Sequence, residues 1–144
     1  MKRLLTALLC ALILLPALAF ADEDAAPVTA EQQPAVDAAQ NWLAGIDAGA
    51  YAKSWDGGSA YFRGAVSQKD WETALTAFRK PLGALGSRRV TKAKSLTSLA
   101  GAPDGTYVVM EFATSFAKKK EAFETVCFSR EADGSWRAAG YFIR

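Results

Sequence analysis

The spacing of apolar residues changes at Arg88. Before it, Val36, Ala39, Trp42 or Leu43, and Ile46, and later Trp71, Ala74 or Leu75, and Phe78, recur every third or fourth position, which is the period of an amphipathic helix. After it the period is two. "RRVTKAKSLTSL", "TYVVMEFATSF", "EAFETVCFSR" and "SWRAAGYFIR" read as four strands joined by "GAPDG", "AKKK" and Asp133-Gly134. Helices first and strands last, all on short connections, predict an α+β fold: a helical layer on an antiparallel four-stranded meander. Pro34 suits the first turn of the first helix and Gly49 its end. Ser67 with Asp70 approximates a capping box for the last helix.

Register sharpens the last hairpin. A two-residue turn at Asp133-Gly134 sets Ala132 against Ser135 and Cys127 against Gly140. One face then carries Phe123, Thr125, Cys127, Trp136, Ala138, Gly140 and Phe142. The other carries Val126, Phe128, Ala139, Tyr141 and Ile143, with Glu124 and Arg137 interspersed. Neither face is polar. One helical layer covers one face, so the second needs a partner, a ligand cavity or strong curvature.

The first 21 residues predict a different fate. Lys2 and Arg3 precede the uncharged run Leu4 to Leu15, and Ala19-Phe20-Ala21 is followed by Asp22, Glu23 and Asp24. That is the layout of a cleaved secretory signal rather than a spanning anchor. Residues 22–33 read as a flexible acidic leader and 34–144 as one domain, large enough for its own core. Cleavage removes two of 17 basic residues and none of 15 acidic ones, so the mature chain is close to neutral and has no obvious affinity for nucleic acid. It also removes Cys10. Cys127, between Val126 and Phe128, remains as a thiol expected to be buried and unpaired. The expected location is the periplasm of a two-membrane bacterium, or outside the cell otherwise, with no stable membrane anchor after cleavage.

Histidine is absent. This excludes Ser-His-Asp and Cys-His catalysis and zinc sites built on histidine. No phosphate loop or metal-ligand run is present, and no cofactor or metal is expected. Three constellations remain. In "AYAKSWDGGSAYFR", Asp56 as general base and Tyr61 as hydrogen-bond donor would suit a lyase or isomerase. The plainer reading is a helix end with Trp55 and Phe62 in the core. Glu111 and Glu124 could shift each other's proton affinity if they shared a surface. The plainer reading has Glu111 pointing away from the helices and paired across the sheet with a basic residue. Arg88, Lys92 and Lys94 share one strand face, and Lys118, Lys119 and Lys120 crowd a turn. An anionic surface could use them, or they protect a sheet edge. No aromatic residue interleaves with them in the sequence.

The segments "WLAGIDAGAYAKSWDGGSAYFR", "KDWETAL", "PLGALGSRR", "GAPDGTYVVMEF" and "DGSWRAAGYFIR" together resemble the bacterial exported domain-of-unknown-function family 4019. The resemblance runs from about residue 34 to the end. It implies a nuclear-transport-factor-2-like, or cystatin-like, cone in which helices fill the concave face of a bent sheet. That fold hosts isomerases, dehydratases and non-catalytic binding modules, so it implies no activity and transfers no catalytic residue. The reading favoured by the residues is a non-enzymatic exported domain. It would bind a small apolar or amphipathic ligand between sheet and helices, form a homodimer through the outer sheet face, or both. Trp55, Phe62, Trp71, Phe112, Trp136 and Tyr141 are the expected cavity or interface residues. A lyase or isomerase using Asp56 or Glu111, and an envelope interaction module using the basic strand, are the alternatives.

Overall fold

The computed structural model describes residues 27–144, so the signal segment 1–21 and residues 22–26 of the acidic leader lie outside the described residues. The described elements run α1 (Gln33–Asp47), α2 (Tyr51–Asp56), α3 (Ala60–Ala65), α4 (Gln68–Phe78), a 3-10 turn (Lys80–Leu82), then β1 (Leu85–Leu96), β2 (Tyr107–Phe116), β3 (Lys119–Arg130) and β4 (Trp136–Ile143). The strands form one antiparallel sheet in the order β1-β2-β3-β4. This is the expected α+β meander.

Local chemistry explains the helix starts. Pro34 occupies the first turn of α1, where its missing N–H costs nothing. Ser59 and Ser67 cap α3 and α4, their hydroxyls accepting from the Phe62 and Asp70 amides. The leader ends earlier than residue 33. Val28 already packs on the core, and Gln32 is buried, its amide donating to the Ala93 carbonyl and the Ser95 hydroxyl of β1 at 3.4 and 3.2 Å. A polar side chain docked on a strand in this way ties down the chain before the helix begins.

The main core lies between the helices and one sheet face. Ala35, Val36, Ala39, Leu43 and Ile46 of α1 and Trp71 and Leu75 of α4 meet Val108, Met110, Phe112, Val126, Phe128, Ala138 and Tyr141. Aromatic rings fill the centre. Trp42 stacks on Trp71 with centroids 5.9 Å apart, and the edges of Phe62 and Tyr141 meet these indoles at 4.9 to 6.4 Å, spacings at which such pairs attract. Each indole N–H in this region has an acceptor: Trp42 reaches the Ser54 carbonyl, Trp71 the Ser54 hydroxyl and Trp55 the Val66 carbonyl.

Two bulges correct the expected register. In the β3–β4 hairpin Cys127 does pair with Gly140, but Phe128 then pairs with Ala138 and Arg130 with Trp136. The extra residue, Ala139, shifts the strand by one, so Ala138 and Trp136 turn to the helix side. They do not share a face with Cys127, and Ala132 does not pair with Ser135. In β1, Val90 pairs with Phe112 and Lys92 with Glu111, leaving Thr91 as the extra residue. Arg88 therefore faces the helices, while Lys92 and Lys94 face the other way. The free edge of β4 is covered at its centre, where Gly58 bridges Ala138 and the Ser59 amide donates to the Ala138 carbonyl at 2.8 Å.

Candidate functional site

The inner face holds a buried ionic network that the sequence did not disclose as a unit. Asp47 is the last residue of α1 and Arg79 directly follows α4. Arg88 lies in β1, Thr114 in β2, Glu124 in β3 and Tyr141 in β4. The Arg88 guanidinium grips two carboxylates. It donates to Asp47 at 2.6 and 3.0 Å and to Glu124 at 2.7 and 3.2 Å. Arg79 donates to Asp47 at 3.1 Å and to the Gly83 carbonyl at 2.6 Å, and lies over the Phe116 ring. Glu124 is fully buried and also accepts from the Thr114 hydroxyl at 2.7 Å and from the Tyr141 hydroxyl.

Two cations face two anions, so the network is neutral, as burial demands. Burial disfavours the charged Arg88, but hydrogen bonds and charge from Glu124 and Asp47 outweigh it and hold its proton above the ordinary value. Burial first, then the Glu124 charge, raise Tyr141 well above the usual phenol range, so its hydroxyl stays a donor. Glu124 accepts four hydrogen bonds, which leaves it no free lone pair for a reacting group. The arrangement ties the ends of two helices to all four strands. Chemically it is a clamp.

The catalytic candidates do not assemble. Asp56 is exposed at the end of α2. The Tyr61 hydroxyl donates to the Gly101 carbonyl at 2.9 Å. Glu111 faces away from the helices, where Arg144 donates to it at 2.8 Å and Thr91 at 3.3 Å. Glu111 pairs with Thr125 and Glu124 with Phe112. That one-residue offset puts the two glutamates on opposite faces, and they cannot share a proton. Of the expected cavity residues, Phe62, Trp71, Phe112 and Tyr141 are buried in the core, and Trp55 and Trp136 pack partly buried against it. They fill the sheet–helix interior. The basic set is split as well, because Arg88 belongs to the buried network.

The outer sheet face divides in two. At one end Tyr107, Val109 and Cys127 are buried under Leu96, Leu99, Ala102 and Ala139. The β1–β2 connection folds back over the sheet there, held by Tyr61 on Gly101 and by Tyr107 on the Pro103 carbonyl. Burial pushes the Cys127 thiol up to about 12. Toward the β2–β3 turn the face is bare. Phe123 and Phe142 are 39% and 41% exposed. They are diagonal neighbours across β3 and β4, because Phe123 bonds Arg144 and Thr125 pairs with Phe142. The Arg144 guanidinium lies 5.0 Å from the Phe123 ring centre. A shallow depression of about 450 Å³ borders Phe123, with Arg89, Ala113, Ser115 and Lys120 on its lining.

These features sit within a recognised unit. A family model described as "Protein of unknown function (DUF4019)" matches residues 38–141. The chain belongs to this family. The DUF4019 match spans α1 to β4 and takes in every residue of the buried clamp. No curated protein matches the chain. Among the described residues no group of His, Cys, Asp or Glu is placed to hold a metal ion.

Proposed function

We infer that the mature chain is an exported, non-enzymatic module that pairs with a second copy of itself through the uncovered half of the outer sheet face. The observation that carries this is the pair Phe123 and Phe142, exposed on a face whose other half the protein itself covers. Large apolar side chains grouped on one surface favour association. Arg144 is exposed beside the Phe123 ring, and its charge is met within the same copy by the buried Glu111 carboxylate. The area is modest. Half of a four-stranded face measures on the order of 300 Å² per copy, well under the roughly 800 Å² of a standard interface. The association is therefore weak and concentration-dependent. The signal-like segment before Asp22 supports export, and the nuclear-transport-factor-2-like reading supports a binding role over a fixed chemistry.

Sedimentation equilibrium of the mature chain is the test. The wild type should show reversible dimerisation in the high-micromolar range. Phe123→Ser with Phe142→Ser should stay monomeric with an unchanged circular dichroism spectrum. A wild type that is monomeric throughout would overturn this reading.

A further inference from the structure

A second surface lies beside the β2–β3 turn and shares Lys120 with the border of this patch. The 3-10 turn Lys80–Leu82 packs against that hairpin tip. The Lys118 amide donates to the Leu82 carbonyl and the Ala117 amide to the Ala84 carbonyl, both at 2.9 Å. Gly83 adopts φ +77, and a Cβ there would stand 3.2 Å from the Ala117 Cβ, so only glycine lets the two turns approach this closely. The contact gathers Lys80, Lys118, Lys119 and Lys120 at one end of the molecule. Residues 78–85 and 117–120 contain no carboxylate. Arg79 is buried and paired with Asp47, and exposed Glu121 directly follows Lys120, so this end carries four lysines against one exposed carboxylate.

Apolar side chains stand among them. Trp71, Ala74 and Leu75 form the buried stripe of α4, and Phe78 continues it at the next turn. There it passes the limit of the core and is 54% exposed. Leu85, which opens β1 opposite Phe116, is 37% exposed. Pro81 is exposed between them. Lysines alone would describe a solvated turn. Lysines around exposed phenylalanine and leucine, drawn from segments almost 40 residues apart, match the composition of surfaces that sit at a lipid headgroup boundary, where charge meets the phosphates and apolar groups enter the acyl region.

We propose that this end of the domain binds an anionic phospholipid surface peripherally, with Lys80 and Lys118 to Lys120 on the headgroups and Phe78 and Leu85 inserted between them. No helix among the described residues is long and apolar enough to cross a membrane, so the contact is a docking and not a span.

Flotation of the mature protein with phosphatidylglycerol/phosphatidylcholine vesicles, phosphatidylcholine vesicles alone and soluble heparin tests this. The wild type should float with the anionic vesicles at low salt, stay behind with neutral ones, and be released as salt screens the lysines. Neutralising Lys118, Lys119 and Lys120 to Gln should weaken anionic-vesicle binding on the order of 100-fold. Phe78→Ser with Leu85→Ser should weaken vesicle binding roughly tenfold or more and leave heparin retention unchanged. All these positions are at the surface, and matched thermal melts establish that the variants fold. No binding to anionic vesicles overturns the proposal. So does vesicle binding unaffected by the Phe78 and Leu85 changes, since that result assigns the lysines to soluble polyanions.

Discussion

Glu124 is the residue on which most of the fold converges. Its carboxylate is buried among apolar neighbours and is stable there because Arg88, Thr114 and Tyr141 satisfy it. Removing one donor strands the charge. Tyr141→Phe deletes a single hydroxyl and should cost about 1–3 kcal/mol. Arg88→Lys replaces a fork that spans two carboxylates with a point charge and should cost more, about 3 kcal/mol or above. Urea midpoints of the two variants check both the size and the order. Cys127 and Tyr141 make the fold sensitive to alkaline pH. Both keep their protons in the fold above their ordinary values. The unfolded chain then binds fewer protons than the native one once pH passes the ordinary thiol value of 9.0, so stability falls as pH rises. The slope from Cys127 alone approaches about 1.4 kcal/mol per pH unit until its folded value near 12 is reached. Urea midpoints at about pH 8 and pH 10.5 should show this loss, and Cys127→Ala should reduce it.

At the scale of elements, the strand and helix periods were legible in the residues and the faces largely were not. In the run from Tyr107 to Phe116, Val108, Met110 and Phe112 face the helices as their spacing of two implies, although Tyr107 and Val109 are buried on the other face. Thr91 and Ala139 carry no mark that distinguishes a bulge from an ordinary strand position. Each reverses the alternation beyond it, which moves Arg88 inward and Trp136 to the helix side. The ionic clamp was hidden for a related reason. Asp47, Arg79, Arg88 and Glu124 are ordinary surface residues by type, and only tertiary packing brings them together. A glycine pair tests how tightly the elements fit. At Gly58, a Cβ would stand 2.3 Å from a Phe62 ring carbon and 3.0 Å from the Trp55 carbonyl. Gly58→Ala should therefore loosen the strap over β4 and cost about 1–3 kcal/mol. At Gly64, inside α3, nothing lies within 4 Å. Gly64→Ala should stabilise by about 0.5–1 kcal/mol. Opposite signs in thermal melts are the expected result.

Across the whole molecule, the aromatic residues that suggested a ligand cavity fill the space where one would lie. The apolar surplus of the last hairpin was visible in the sequence. What it leaves exposed depends on the β1–β2 connection, which covers Cys127 and stops short of Phe123 and Phe142. The central claim is that this uncovered half-face meets its own copy. A dilution series followed by amide NMR tests it most directly. The account predicts concentration-dependent shifts confined to the neighbourhood of Ala113, Phe123, Thr125 and Phe142. Shifts centred on the helices, or none up to millimolar protein, would contradict it.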